Sequence, residues 1–294
     1  MAKKITKAVI ALAGFGTRFL PATKAQPKEM LPIIDKPIVQ YLVEEAVDSG
    51  ITDIILVTRH GSRALEDHFD SSPELENLLE AQGKTKYLEM VRKISTMANF
   101  VYVGQKKHMP YGNATPILCA KPLIDNDEAF VYMYGDDLVK AEVPCTKQLI
   151  DIFEKTGCAA INAVQEMPED VLYRYGIVKY KEHKEGGVPN QLEYFVEKPE
   201  PGKAPSKMAS FGRFVFSYQI FDFLSPEAVG KGNELWVVDA ITKLAKDHVV
   251  LAQPIEGKWL TTGDPLNYLK ATVEYALDHP EIKGAFREYL KTIS

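Results

Sequence analysis

The sequence predicts an α/β protein built on a doubly wound, mainly parallel sheet, and three observations carry that expectation. Apolar runs of strand length alternate with helix-period segments through the first half of the chain. The segments between them are long enough for crossover units, which set successive strands parallel. A glycine turn, Gly14-Phe15-Gly16, follows directly on the first apolar run. With 294 residues, 46% of them hydrophobic, the chain can bury a large core as one elaborated domain or two closely packed ones.

The elements follow in order. Ala8–Ala13 reads as a buried first strand. The lysines before it give the start a look of a miniature signal peptide, but the apolar run is only about eight residues long and flows into the glycine turn. In "PIVQYLVEEAVDSG", Ile38, Leu42, Val43 and Ala46 share one helical face and Gly50 supplies the C-cap. "ITDIILVT" is a buried strand. The stretch from Ser62 to Ala98 reads as helical and mostly solvated. "FVYVGQ" and "AFVYMYGDD" are strands, and "TKQLIDIFEKTG" is a helix before the strand "CAAINAV". The second half changes character. "YGIVKY", "QLEYFVEK" and "SFGRFVFS" are strand-like runs separated by polar loops, read as a smaller lobe added to the same sheet. An amphipathic helix, "LWVVDAITKLAKD", and a helical C-terminal segment follow.

Net charge is −5 with a pI near 5.8, and charges of both signs are interspersed. No basic run of nucleic-acid or membrane-surface type occurs, so the partner is read as a small molecule. No segment approaches the roughly 20 apolar residues of a membrane span. Cys119, Cys145 and Cys158 are odd in number and lack metal-ligand spacing, which points to reduced thiols in the cytoplasm.

Three motifs carry chemistry. In "LAGFGTRFLPATKAQPKEMLP" a dinucleotide fingerprint would need a third glycine, and Phe19 stands there. The loop offers instead backbone N–H groups, the guanidinium of Arg18 and the ammonium of Lys28, partners suited to the oxyanions of a polyphosphate. In "VYMYGDDLV" an apolar strand ends on Gly135-Asp136-Asp137, so hard carboxylate oxygens sit where open α/β sheets bind ligands, a donor set suited to Mg²⁺. In "FVEKP", Glu197-Lys198 stands at a strand exit, an acid for hydroxyl groups beside a cation for phosphate.

These motifs, with "PKEMLPIIDKP", "EDHFD", "LCAKPLI", "YGIV", "VEKP" and "GRFVFS" in the same order, make the chain resemble the bacterial UTP–glucose-1-phosphate uridylyltransferases from end to end. The resemblance implies a Rossmann-like mixed sheet of the nucleotidyltransferase, glycosyltransferase-A-like kind, with a smaller sugar-binding β lobe and C-terminal helices. It implies a nucleotide-binding part over about 1–165, a sugar-binding part over 166–260 and a helical segment over 261–294. The nucleotide would meet Ala13, Gly14, Gly16, Thr17, Arg18, Lys28, Glu29, Gln105 and Gly112, with Arg18 and Lys28 acting on the triphosphate in catalysis. Asp136 would be the magnesium ligand. Asp137, Gly176, Glu197 and Lys198 would hold the sugar and its phosphate. UTP and a sugar 1-phosphate are the implied partners, Mg²⁺ the implied cofactor, and a cytoplasmic homo-oligomer, dimer or tetramer, the implied setting.

The departures from the family bear on substrate. Leu12 is bulkier than the family's residue in Pro-Ala-Ala-Gly. The family's Leu-Gly-Leu-Gly-His becomes "YGNAT". Trp236 and Val238 replace an amide and a hydroxyl, and Thr261 stands where members carry an Asp. Asp264, nearby, is a candidate substitute. Two readings follow: the uridylyl transfer, on glucose 1-phosphate or another sugar 1-phosphate, and a weakly active or inactive homologue that binds nucleotide sugar and regulates a partner.

Overall fold

The computed structural model describes residues 4–59, 63–182 and 187–293. Its strands are β1 (Lys7–Leu12), β2 (Pro32–Ile33), β3 (Lys36–Pro37), β4 (Asp53–Thr58), β5 (Asn99–Gly104), β6 (Ala129–Tyr134), β7 (Asp137–Lys140), β8 (Ala160–Glu166), β9 (Gly176–Tyr180), β10 (Leu192–Glu197), β11 (Met208–Ser217), β12 (Val250–Pro254) and β13 (Lys258–Thr261). The helices are α1 (Ile38–Asp48), α2 (Arg63–Phe69), α3 (Pro73–Ala81), α4 (Thr85–Thr96), α5 (Thr115–Ala120), α6 (Cys145–Thr156), α7 (Val237–Asp247), α8 (Pro265–Ala276) and α9 (Lys283–Ile293).

β1 lies inside the sheet, parallel to β4 on one side and to β6 on the other, with Ile10 opposite Leu56 and Met133. β5 continues the parallel half beyond β4. The chain thus winds from β1 to β4 and β5, then crosses back to β6. The loops leaving β1 and β6 part at the carboxyl edge, which opens a crevice there.

The period of two along the strands sorts their side chains between two cores. Ile10 and Leu12 of β1 and Met133 of β6 pack with Leu42, Val43 and Leu149 of α1 and α6. Val9, Phe130 and Tyr132 face the other way, against Ile117 of α5 and Ile241 and Leu244 of α7. The doubly wound sheet is therefore covered on both faces, as parallel strands require.

The second half joins this sheet. β11 runs antiparallel to β6, β8 and β9, and β10 closes the edge beside β9. A register shift between Ser210 and Phe214 interrupts the pairing of β11 with β8, which resumes at Phe214 opposite Asn162. The mixed sheet is thus continuous through residues read from sequence as a lobe. Sequence reasoning passed over the short runs that form β7, β12 and β13. β12 lies parallel to β8, and β13 pairs with β7 so that Thr261 stands opposite Asp137. Among the described residues no helix is long and apolar enough to cross a membrane, and the three cysteines are free and buried.

Candidate active site

The glycine turn leaves β1 at the crevice. Gly16 takes the left-handed conformation (φ 62°), and a side chain there would press on Lys28 and Thr23 at 3.1 Å. The Thr23 hydroxyl donates to the Gly16 carbonyl at 2.7 Å and fixes the turn. One turn of 3₁₀ helix, Thr17–Phe19, then presents Arg18, and a second, Lys28–Met30, presents Lys28. The Lys28 ammonium lies 2.6 Å from Asp136 Oδ2 and 3.8 Å from Glu29 Oε1. Burial alone would lower the lysine pKa, but the carboxylates of Asp136 and Glu29 outweigh it and hold the group above its ordinary value. Glu29 is buried, and neither of its oxygens reaches a hydrogen-bond partner. Burial pushes its carboxyl up to about 8, with Lys28 opposing.

The two aspartates after β6 have different surroundings. The Asp136 carbonyl accepts from Thr262 N at 2.6 Å and from the Thr262 hydroxyl at 2.9 Å, which leaves its carboxylate turned to the crevice. Asp137, expected beside the sugar phosphate, turns inward. Its oxygens accept from Gly212 N at 2.9 Å and Trp259 Nε1 at 2.7 Å, and burial together with the Asp136 charge raises its carboxyl to about 6. Behind it Arg213, fully buried, donates to the Asp137 carbonyl at 2.7 Å and forks onto Glu45 at 2.9 and 2.8 Å. Sequence reasoning missed this support because no local pattern links positions 45, 137, 213 and 259.

The far wall is a stitched pair of segments. Leu235 N donates to Tyr111 O at 2.8 Å, Ala114 N to Leu235 O at 3.0 Å, and Val237 N to Asn113 Oδ1 at 2.8 Å. Gly112 (φ 141°) makes the approach possible, since a side chain there would collide with the Leu235 backbone at 2.2 Å. Gln105 leaves β5 at the same edge, its N–H donating to Thr58 O at 2.8 Å.

Three adjoining cavities result. One of 370 Å³ is bordered by Ala13, Gly14, Lys28, Glu29, Gln105 and Gly112. One of 490 Å³ is bordered by Gly16, Thr17 and Phe15. One of 540 Å³ is bordered by Asp137, Gly176, Glu197, Lys198, Trp236 and Val238. Arg18 and Asp136 border all three. Apart from Asp137, whose carboxylate turns inward, the site residues named from sequence line one composite crevice.

This donor set suits a divalent cation that arrives with a phosphate. Asp136 supplies one outward carboxylate, and Mg²⁺ commonly takes one or two, completing its shell with phosphate oxygens and water. Thr261 is neutral, and its hydroxyl accepts from Gly263 N at 3.3 Å. Asp264 borders the 540 Å³ cavity but is engaged by other partners. It caps α8 through Asn267 N at 3.0 Å and pairs with Arg174 at 2.7 Å.

Fold and site together define a nucleotidyltransferase, with backbone and cations for a phosphate chain at a sheet's carboxyl edge and a second chamber across one aspartate. The nucleotidyl transferase family matches residues 7–277. A UTP–glucose-1-phosphate uridylyltransferase of Bacillus subtilis is 48% identical over 289 residues, 98% of this chain and 97% of the relative. A UTP-bound UGPase from Acinetobacter baumannii superposes with a TM-score of 0.87 at 33% identity, covering 99% of this chain and 100% of that one. A UDP-glucose pyrophosphorylase complexed with UDP-glucose gives 0.80 at 34% identity, covering 94% and 100%. The chain belongs to the nucleotidyl transferase family, among the UTP–glucose-1-phosphate uridylyltransferases.

Proposed function

We propose that the chain transfers a uridylyl group from UTP to glucose 1-phosphate, giving UDP-glucose and pyrophosphate. The observation that carries the reading is the Lys28–Asp136 pair, 2.6 Å apart, where three cavities meet and Arg18 borders each of them. In the reaction an oxygen of the sugar phosphate forms a bond to the α-phosphorus, and the bond to the β-bridging oxygen breaks as pyrophosphate leaves. The nucleophile is already ionised at neutral pH, so no general base is needed. Positioning and charge neutralisation carry such transfers.

Ala13, Gly14, Gln105 and Gly112 hold the base side of UTP, and Gly16, Thr17, Arg18 and Lys28 hold its phosphates. Gly176, Glu197 and Lys198 hold the sugar and its phosphate. Asp137 acts from behind, fixing the loop that presents Asp136. Asp136 would hold Mg²⁺, which would supply positive charge to the reacting phosphates. The nucleotide part runs to about residue 165, the sugar part from there to about 260, and a helical segment follows; the enzyme works in the cytoplasm as a homo-oligomer.

Purified protein with UTP, Mg²⁺ and glucose 1-phosphate tests the reading. Pyrophosphate and UDP-glucose are the expected products; their absence across a panel of nucleoside triphosphates and sugar 1-phosphates would reject it.

A further inference from the structure

Trp236 is an aromatic residue at the junction of two chambers of this crevice. It borders both the 370 Å³ cavity and the 540 Å³ cavity. Its place is set by backbone on both sides. Leu235 is paired with Tyr111 and Ala114, and the Val237 N–H is held by Asn113. Gly230 backs the indole, and a side chain there would approach Trp236 Cδ1 to 3.2 Å. The Lys198 ammonium lies over the ring, 4.2 Å from its centroid. Val238 continues the same wall beside Gly176.

Resting on the uridylyl-transfer reading, we infer that Trp236 is a specificity-determining residue of the sugar subsite, which takes pyranosyl 1-phosphates by an apolar ring face. Cation and indole stand on one side of the cavity. A sugar phosphate that draws the Lys198 ammonium off the ring would uncover that face, along which the sugar's ring carbons and their C–H bonds would then lie. An apolar wall discriminates weakly. A site that hydrogen-bonds a hydroxyl rejects the analogue lacking it by about 10⁴–10⁵, because its own polar group is left unpaired, whereas an apolar wall leaves no such orphan. The subsite accordingly tolerates loss of the hydroxyl turned toward Trp236.

Two measurements test this. The chain has two tryptophans, and Trp259, though buried against Asp137, borders the same 540 Å³ cavity, so the loss of signal on replacing Trp236 is what assigns it. Binding of UDP-glucose changes the indole emission beyond the change given by UDP, and this increment disappears in Trp236→Phe. An increment that persists in the variant, or no increment over UDP, overturns the placement. In the second, pyrophosphate release from UTP is followed with glucose 1-phosphate and its monodeoxy analogues. The wild-type protein keeps kcat/KM for at least one analogue within about tenfold of the parent. Trp236→Gln, which restores an amide, widens that gap tenfold or more. Ratios unchanged by the substitution, or a wild type that rejects every analogue a hundredfold, overturn the inference. No pyrophosphate from any sugar 1-phosphate would instead reject the uridylyl-transfer reading, while the emission measurement still reports where the indole stands.

Discussion

Lys28 and Asp136, separated by 108 residues of chain, meet at 2.6 Å on the carboxyl edge of the sheet. One comes from a 3₁₀ turn after β1 and the other from the end of β6. Their pairing joins the cation that meets phosphate to the carboxylate that meets metal. Bound Mg²⁺ and nucleotide would divide the two, each taking a stronger partner.

Lys28→Met removes a positioned charge from the reacting phosphates. Loss of one such donor costs about 10²–10³-fold in rate. Steady-state pyrophosphate release should fall by that factor with the fold intact by circular dichroism.

Glu29 gives a stability signature in pH. Its folded pKa is raised to about 8 from 4.5, chiefly by burial. The proton it keeps in the folded state contributes stability below about 4.5, and that contribution is lost as pH rises through about 8. Glu29→Gln cannot ionise, so its stability relative to wild type should grow between pH 5 and 9, by a few kcal/mol. Urea unfolding of both proteins at several pH values measures the difference. A constant difference across the range refutes the assignment.

Arg213→Met leaves Glu45 facing the interior without its fork. Breaking one side of a buried pair costs about 3–5 kcal/mol, read by denaturant unfolding. The double variant Arg213→Met with Glu45→Leu should recover part of that loss. Because Arg213 also holds the Asp137 carbonyl, both variants should need more Mg²⁺ for half-maximal rate.

Thr261→Asp adds a carboxylate beside Asp136. Gly263 lies between them: a side chain on it would stand 3.1 Å from Asp136 Oδ2 and 3.4 Å from the Thr261 hydroxyl. The Mg²⁺ concentration for half-maximal turnover should fall several-fold, and calorimetry should show tighter Mg²⁺ binding in the presence of UTP. An unchanged Mg²⁺ dependence means that position 261 does not reach the ion.

The strand–helix alternation, the turn at Gly14–Gly16, the one-sided α1, the helix α6, the amphipathic α7 and the family were all legible before folding. Each of these is written in local periodicity or in contiguous motifs. That the lobe continues the same sheet was legible in the sequence, but which strand makes the join, β11 antiparallel to β6, β8 and β9, was not, because pairing between distant strands leaves no local trace. Only the tertiary structure separated Asp136 from Asp137. Adjacent in sequence, they point to opposite sides because β7 starts at Asp137, and the pleat sends that side chain toward Gly212 and Trp259. Asp264, a tempting acid in sequence, is bound to Arg174 and Asn267, ninety and three residues away. Side-chain direction and long-range partners decide which charges face a ligand, and these are properties of the folded chain.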